Sequence, residues 1–122
     1  MSNTLSYTIE HTVEPNESAL AMGSGDMEVF ATPAMVALME HAAMMAAREL
    51  LQEGDSSVGI EISTSHLKAS RIGSTVRATA TLESRDGRRL QFRIEAYDGD
   101  TLIGEGSHTR FIVDRARFLA KL

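Results

Sequence analysis

Cysteine and tryptophan are missing from this chain, prolines number two, and the other aromatics are two tyrosines and four phenylalanines. Without cysteine there is no disulfide, no thiolate metal site and no cysteine nucleophile. Positive charge is also scarce: 12 basic side chains stand against 17 acidic ones, for a net charge of −5. A basic surface interleaved with aromatics, the footprint of a phosphate-tracking protein, is therefore lacking, and no nucleic-acid partner is expected. The opening stretch M-S-N-T-L-S-Y-T-I-E has no basic region leading into a long apolar run. No signal peptide is expected, and a cytoplasmic location follows. The most apolar stretch, residues 33–51, is broken by Glu40, His41 and Arg48, so no membrane span is expected.

What remains is ordinary globular material. A hydrophobic content of 43% and a charged content of 24% over 122 residues suit one domain, 1–122, with a modest core. Residues 5–13 alternate, with Leu5, Tyr7, Ile9, His11 and Val13 on one face, and predict a half-buried strand. Residues 14–26 read as an irregular connection with a Gly-Ser-Gly break. Thr32-Pro33 predicts a helix start, with Thr32 as N-cap and Pro33 at the first helical position, and Gly54 suits the other end. Everything beyond reads as strand. Val58, Ile60, Ile62, Thr64 and His66 share one face of the first. Residues 75–84, 89–97 and 101–113 form the next three, joined by two-residue turns at Asp86-Gly87 and Asp98-Gly99 into an antiparallel meander. A bulge is expected near Gly104 and Gly106. The expected class is α+β: one long helix wrapped by a curved antiparallel sheet. Such a sheet leaves edges and an outer face to cover, so a homodimer is expected, and a dimer of dimers is compatible with it.

Chemistry enters with Glu40. On a helical wheel it shares an apolar face with Val36, Ala37, Ala43, Met44, Ala47 and Leu51. An unpaired carboxylate there costs several kcal/mol unless it is neutralised, hydrogen-bonded or used. His66 falls by strand parity on the face turned to the same helix, and an acid–base pair needs two such groups. Thr32 caps the helix on the structural reading; on the functional one its hydroxyl and the nearby N–H groups hold a carbonyl or a water. On one straight helix Thr32 and Glu40 lie about 12 Å apart, so a shared site needs two subunits or a substrate between them. His41 reads as a surface or interface residue and His11 as half-buried. His108 and Arg110 share one face of the last strand, where both could touch an anionic ligand; solvated charges are the expectation. No H-E-x-x-H or comparable spacing links the histidines to Glu40, and no metal is expected. Methionines 35, 39, 44 and 45 are packing residues that would also suit a flexible acyl chain.

Four stretches carry a family pattern: V-F-A-T-P-A-M-V-A-L-M-E-H-A (29–42), S-V-G-I-E-I-S-T-S-H (57–66), D-G-R-R-L-Q-F-R-I-E-A-Y-D-G (86–99) and I-G-E-G-S-H-T-R (103–110). Together they resemble the fluoroacetyl-CoA thioesterase-like group of hot-dog-fold thioesterases. The resemblance implies a hot-dog homodimer with sites near the subunit interface, and hydrolysis of a short-chain acyl-CoA without a cofactor. It places the catalytic threonine, glutamate and histidine on Thr32, Glu40 and His66, and substrate-binding residues on Gly59 and Arg110. Where the fluoroacetyl-specific enzyme carries phenylalanines closing over the acyl group, this chain has Gly23-Ser24-Gly25-Asp26. His41 replaces the family's tryptophan. A different short acyl group is the expectation. Two other readings are compatible with the sequence: a non-catalytic acyl-CoA or metabolite-binding dimer, and an enoyl-CoA hydratase. Ser24-Gly25-Asp26 resembles the Ser-Gly-Asp of the hydratases, but Ala31 stands where they need histidine.

Overall fold

Five antiparallel strands curve around one long helix in the computed structural model, which describes residues 4–122. The first three residues, on which the signal-peptide reading partly rests, lie outside this range. The strands are β1 (Ser6–Thr12), β2 (Asp55–His66), β3 (Thr75–Asp86), β4 (Arg89–Asp98) and β5 (Thr101–Asp114). Their order across the sheet is β1-β3-β4-β5-β2, so β2 is an edge strand. The helices are α1 (Ala19–Met22), α2 (Thr32–Ala47) and α3 (Arg115–Ala120). No helix among the described residues is long and apolar enough to cross a membrane.

The core is built from small residues on both layers. Met35, Met39, Ala42, Ala43, Ala46 and Ala47 of α2 are wholly buried, as are Ala78, Ala80, Leu90, Phe92, Ile94 and Ala96 of β3 and β4. Alanines facing alanines let helix and sheet approach closely, and the larger side chains fill the remaining gaps. Gly104 serves the same end: a methyl group there would stand 2.6 Å from Met35 Sδ. Gly106 is pressed against the β2 backbone at Ser63 and leaves no room for a side chain.

The expected strands are all present, with differences in detail. Asp86 pairs with Arg89 and Asp98 with Thr101, so the two-residue loops are Gly87-Arg88 and Gly99-Asp100 rather than Asp-Gly. Each glycine takes positive φ (61° and 60°) at the first loop position, the place a Gly-X hairpin requires. The bulge in β5 falls at Ile103, between the pairs Ala96–Gly104 and Tyr97–Leu102. A second one sits in β2, between Gly59 and Glu61. It overturns the expected parity. Ser57 and Gly59 face α2 before the bulge, Ile60 is half exposed, and Ile62, Thr64 and His66 face α2 after it.

Helical boundaries also differ. Ala31, not Thr32, is the N-cap of α2: its carbonyl accepts the Met35 N–H at 3.0 Å. Thr32 is then the first helical residue and Pro33 the second. The helix passes into a 3-10 turn at Arg48–Leu50, and Gly54 (φ 87°) turns the chain into β2. The connection before α2 is more regular than expected, holding a 3-10 turn at Pro15–Glu17 and then α1. The terminal α3, absent from the sequence reading, is capped by Asp114, whose carboxylate accepts the Arg117 N–H at 2.9 Å.

Candidate active site

The chain entering α2 is fastened on both sides. The Phe30 N–H donates to Ser70 O and the Ala31 N–H to Glu17 O, both at 2.9 Å. With two successive residues held, Thr32 starts the helix in a fixed direction. Its hydroxyl lies 2.8 Å from Nδ1 of His66, the last residue of β2. The Phe30 ring meets that imidazole edge-on, with centroids 6.4 Å apart. His66 Nε2 is buried and has no hydrogen-bond partner. Burial lowers the His66 pKa below its ordinary 6.5, while the Lys68 main chain opposes the shift. The imidazole is thus kept neutral, with one nitrogen oriented by Thr32. Beside the pair opens a cleft of about 260 Å³, whose lining includes Ser24, Phe30 and Lys68. A neutral imidazole held this way can accept a proton and then pass it to a leaving group.

Glu40 lies elsewhere. It is half-buried, on the border between the covered face of α2 (Ala43, Ala47) and the partly open one (Val36, Met44), rather than within a wholly apolar face. Its carboxylate turns to the sheet at Gly59. A methyl group on Gly59 would lie 3.1 Å from Glu40 Oε2, 3.0 Å from His108 Cε1 and 3.5 Å from Arg110 Nη1. Glycine is what lets the three side chains converge there. Among the described residues Glu40 has no ion pair, so its oxygens are not committed within the protomer.

The residues behind Glu40 correct the reading of the last strand. His108 is 1% exposed and Arg110 6%; neither is a solvated charge. The Arg110 guanidinium donates from Nε to Ser57 Oγ and from Nη2 to Ser57 O, each at 2.9 Å. Burial lowers its pKa and the nearby Glu40 charge restores part of the loss. Alternation placed these two residues on a common face but gave no sign of which way it turns. Ser57, which ties Arg110 down, carries no sequence signal, because alternation gives the inner face to Val58 and Ile60.

The structure therefore joins Thr32 to His66, and Glu40 to Gly59 and Arg110, at two separate places. His41 is exposed on α2 and borders a groove with His11, whose Nε2 is 2.6 Å from Glu17 Oε1. Among the described residues no group of three or more His, Asp or Glu is placed to hold a metal.

Residues 13–116 match the family model described as fluoroacetyl-CoA-specific thioesterase. The chain belongs to that family. It is 44% identical over 95 residues to the fluoroacetyl-CoA thioesterase of Streptantibioticus cattleyicolor, covering 78% of this chain and 68% of the relative. A solved structure of a fluoroacetyl-CoA thioesterase, a threonine-to-alanine mutant with fluoroacetate, superposes with a TM-score of 0.90 at 35% identity. The match covers 99% of this chain and 96% of that one. A hot-dog-like protein from Thermanaerovibrio acidaminovorans shares the fold at TM-score 0.86 and 21% identity, covering 95% and 86% of the two chains. The helix wrapped by a sheet is thus the hot-dog fold, and the protein is a thioesterase.

Proposed function

We propose that this thioesterase hydrolyses a short-chain acyl-CoA in the cytoplasm, as a homodimer whose sites combine Thr32 and His66 of one copy with Glu40 of the partner subunit. The observation that carries the reading is the division of the polar groups into two places, each incomplete. Thr32 and Glu40 lie eight residues apart on one helix, about 12 Å along its axis, too far to share one reacting atom. The exposed β2 edge favours a partner copy: antiparallel pairing of two such edges runs the His66 end of one strand toward the Asp55 end of the other. Gly59 and Glu40 lie nearer that second end.

In the resulting site Glu40 activates water as a base or attacks the thioester carbonyl, and Gly59 and Arg110 hold the acyl group beside it. Thr32 fixes His66, which orients the reacting groups or takes up the proton released from the attacking water and hands it to the departing thiolate. The open Gly23–Asp26 segment leaves the acyl pocket less closed than a phenylalanine lid would, and supports a non-fluorinated short acyl group.

A thiol-release assay across acetyl- to octanoyl-CoA, with haloacetyl-CoA included, tests the activity. Release from one short acyl class, lost in Glu40→Ala, is expected; tight binding without release would leave a binding module. Mixing tests the shared site. After subunit exchange, Thr32→Ala and Glu40→Gln variants, each inactive alone, should recover roughly a quarter of wild-type activity, because half the dimers then carry one intact site. No recovery despite verified exchange would place the site within one chain.

A further inference from the structure

We propose that His108 is a positioning residue: a neutral imidazole, protonated on Nδ1, that holds the Arg110 guanidinium in line with Glu40 and Gly59. The inference rests on the Glu40-centred reading above and names what keeps that centre in register.

The hydrogen bonds fix the tautomer. His108 Nδ1 lies 2.8 Å from the Glu61 carbonyl oxygen, which can only accept, so Nδ1 carries a proton. His108 Nε2 lies 3.2 Å from Arg110 Nη1, which can only donate, so Nε2 carries none. A second proton on the ring would set an N–H against an N–H and a cation against a cation. The ring is therefore an adaptor that turns the Glu61 carbonyl into an acceptor for arginine. With Ser57 taking Nε and Nη2, all three guanidinium nitrogens are engaged. A rotamer-rich side chain becomes a fixed plate, and fixed donors are what electrostatic stabilisation needs. Nη1 is also the guanidinium atom that comes nearest the Gly59 position approached by Glu40, 3.5 Å from where a methyl group would stand.

Ser57 holds the other two nitrogens, and among the described residues only His108 meets Nη1. His108 pairs across the sheet with Ile62 of β2 and Phe92 of β4, and Arg110 with Gly59 and Leu90. Among the described residues, the titratable groups facing the ring are Glu40 from α2 and Arg110 from its own strand. Burial first, with Arg110 adding to it, lowers the His108 pKa against the opposing pulls of the Glu61 carbonyl and Glu40. The arrangement is thus intact at neutral pH and fails in acid.

Two amides separate positioning from mere structure. The glutamine of His108→Gln puts an acceptor near the place of Nε2 and keeps the arginine contact. The asparagine of His108→Asn puts a donor near the place of Nδ1 and keeps the Glu61 contact. Positioning through Arg110 predicts kcat within about threefold of wild type for His108→Gln and a loss of about tenfold or more for His108→Asn. It also predicts that His108→Gln moves the acid limb of the kcat profile downward. The reverse ranking, or equal kcat in both, would overturn the proposal. Nitrogen-15 NMR of the wild-type imidazole serves if either variant fails to fold: Nδ1–H at pH 7 is expected, and Nε2–H would overturn it. Failure of the Glu40 reading shows separately, as retained turnover in Glu40→Gln, whatever the ring's tautomer.

Discussion

At the start of α2 the polar pair stands in the open: Thr32 is exposed, His66 half-buried, and one hydrogen bond of 2.8 Å joins them beside a cleft. Two turns further along, Glu40 faces a buried cluster in which Arg110 and His108 spend their hydrogen bonds on Ser57 and Glu61. The first arrangement relies on how firmly the backbone around Phe30 and Ala31 is held; the second relies on charge fixed in a covered place. The open pair can pass protons through the exposed Thr32 hydroxyl, although His66 Nε2 itself is buried. A covered cation cannot, but its field is stronger where water is excluded. The division of labour suits a hydrolase that needs a mobile proton at one point and a fixed charge at another.

The largest effect should come from the covered end. Glu40→Gln keeps the shape and removes the charge, and kcat should fall about 10³-fold while the thermal transition stays cooperative. Turnover within a few-fold of wild type, read by thiol release, would break the comparison at its base. At the open end, Thr32→Val removes the hydroxyl that orients His66 and should cost about 10²-fold in kcat, with Thr32→Ser close to wild type. Because Thr32 is exposed, stability should move by less than about 1 kcal/mol. A large stability loss with unchanged kcat would make Thr32 a helix-start residue and nothing more. Gly59→Ala probes the convergence itself. The added methyl would meet His108 and Glu40 at 3.0 and 3.1 Å, so one of them must give way by a few tenths of an ångström. We expect about a tenfold loss in kcat and roughly 1–3 kcal/mol in stability, the range of overpacked sites.

How much of this was legible follows from what alternation can and cannot report. Leu90, Phe92, Ile94 and Ala96 announce their strand because side chains on a sheet repeat every two residues, and all four are buried. His66 was placed correctly because it shares a face with Ile62, both beyond the β2 bulge. Val58 and Ile60, before and at the bulge, do not take the expected inner positions because glycine at 59 hides the slip: with no side chain there, the apolar rhythm continues unbroken. His108 and Arg110 were misread for a related reason. A buried ion is stable only through partners distant in sequence, here Ser57 and Glu61, and periodicity carries no information about partners. The α2 start lies one residue from its expected place: Ala31 supplies the capping carbonyl, and the Thr32 hydroxyl meets His66 instead of capping the helix.

The smallest effect is a slope in stability against pH, which separates the two ends by their histidines. Both His66 and His108 have folded pKa values depressed from 6.5, mainly by burial. In the unfolded chain each titrates near 6.5. Between the depressed folded values and 6.5, the unfolded chain binds more protons than the folded one, so unfolding free energy rises with pH. The contribution is complete above about pH 6.5 and is lost as pH falls through the folded values. Glu17, whose carboxyl burial would raise but the Glu14 N–H and His11 hold below 4.5, acts only in stronger acid. Urea melts between about pH 5 and 7.5 therefore read the histidines with little carboxylate interference. The slope should shrink in His108→Gln and shrink again when His66→Gln is added. If His108→Gln leaves the slope unchanged, the covered ring is not the group that titrates, and the acid sensitivity belongs to the open end alone.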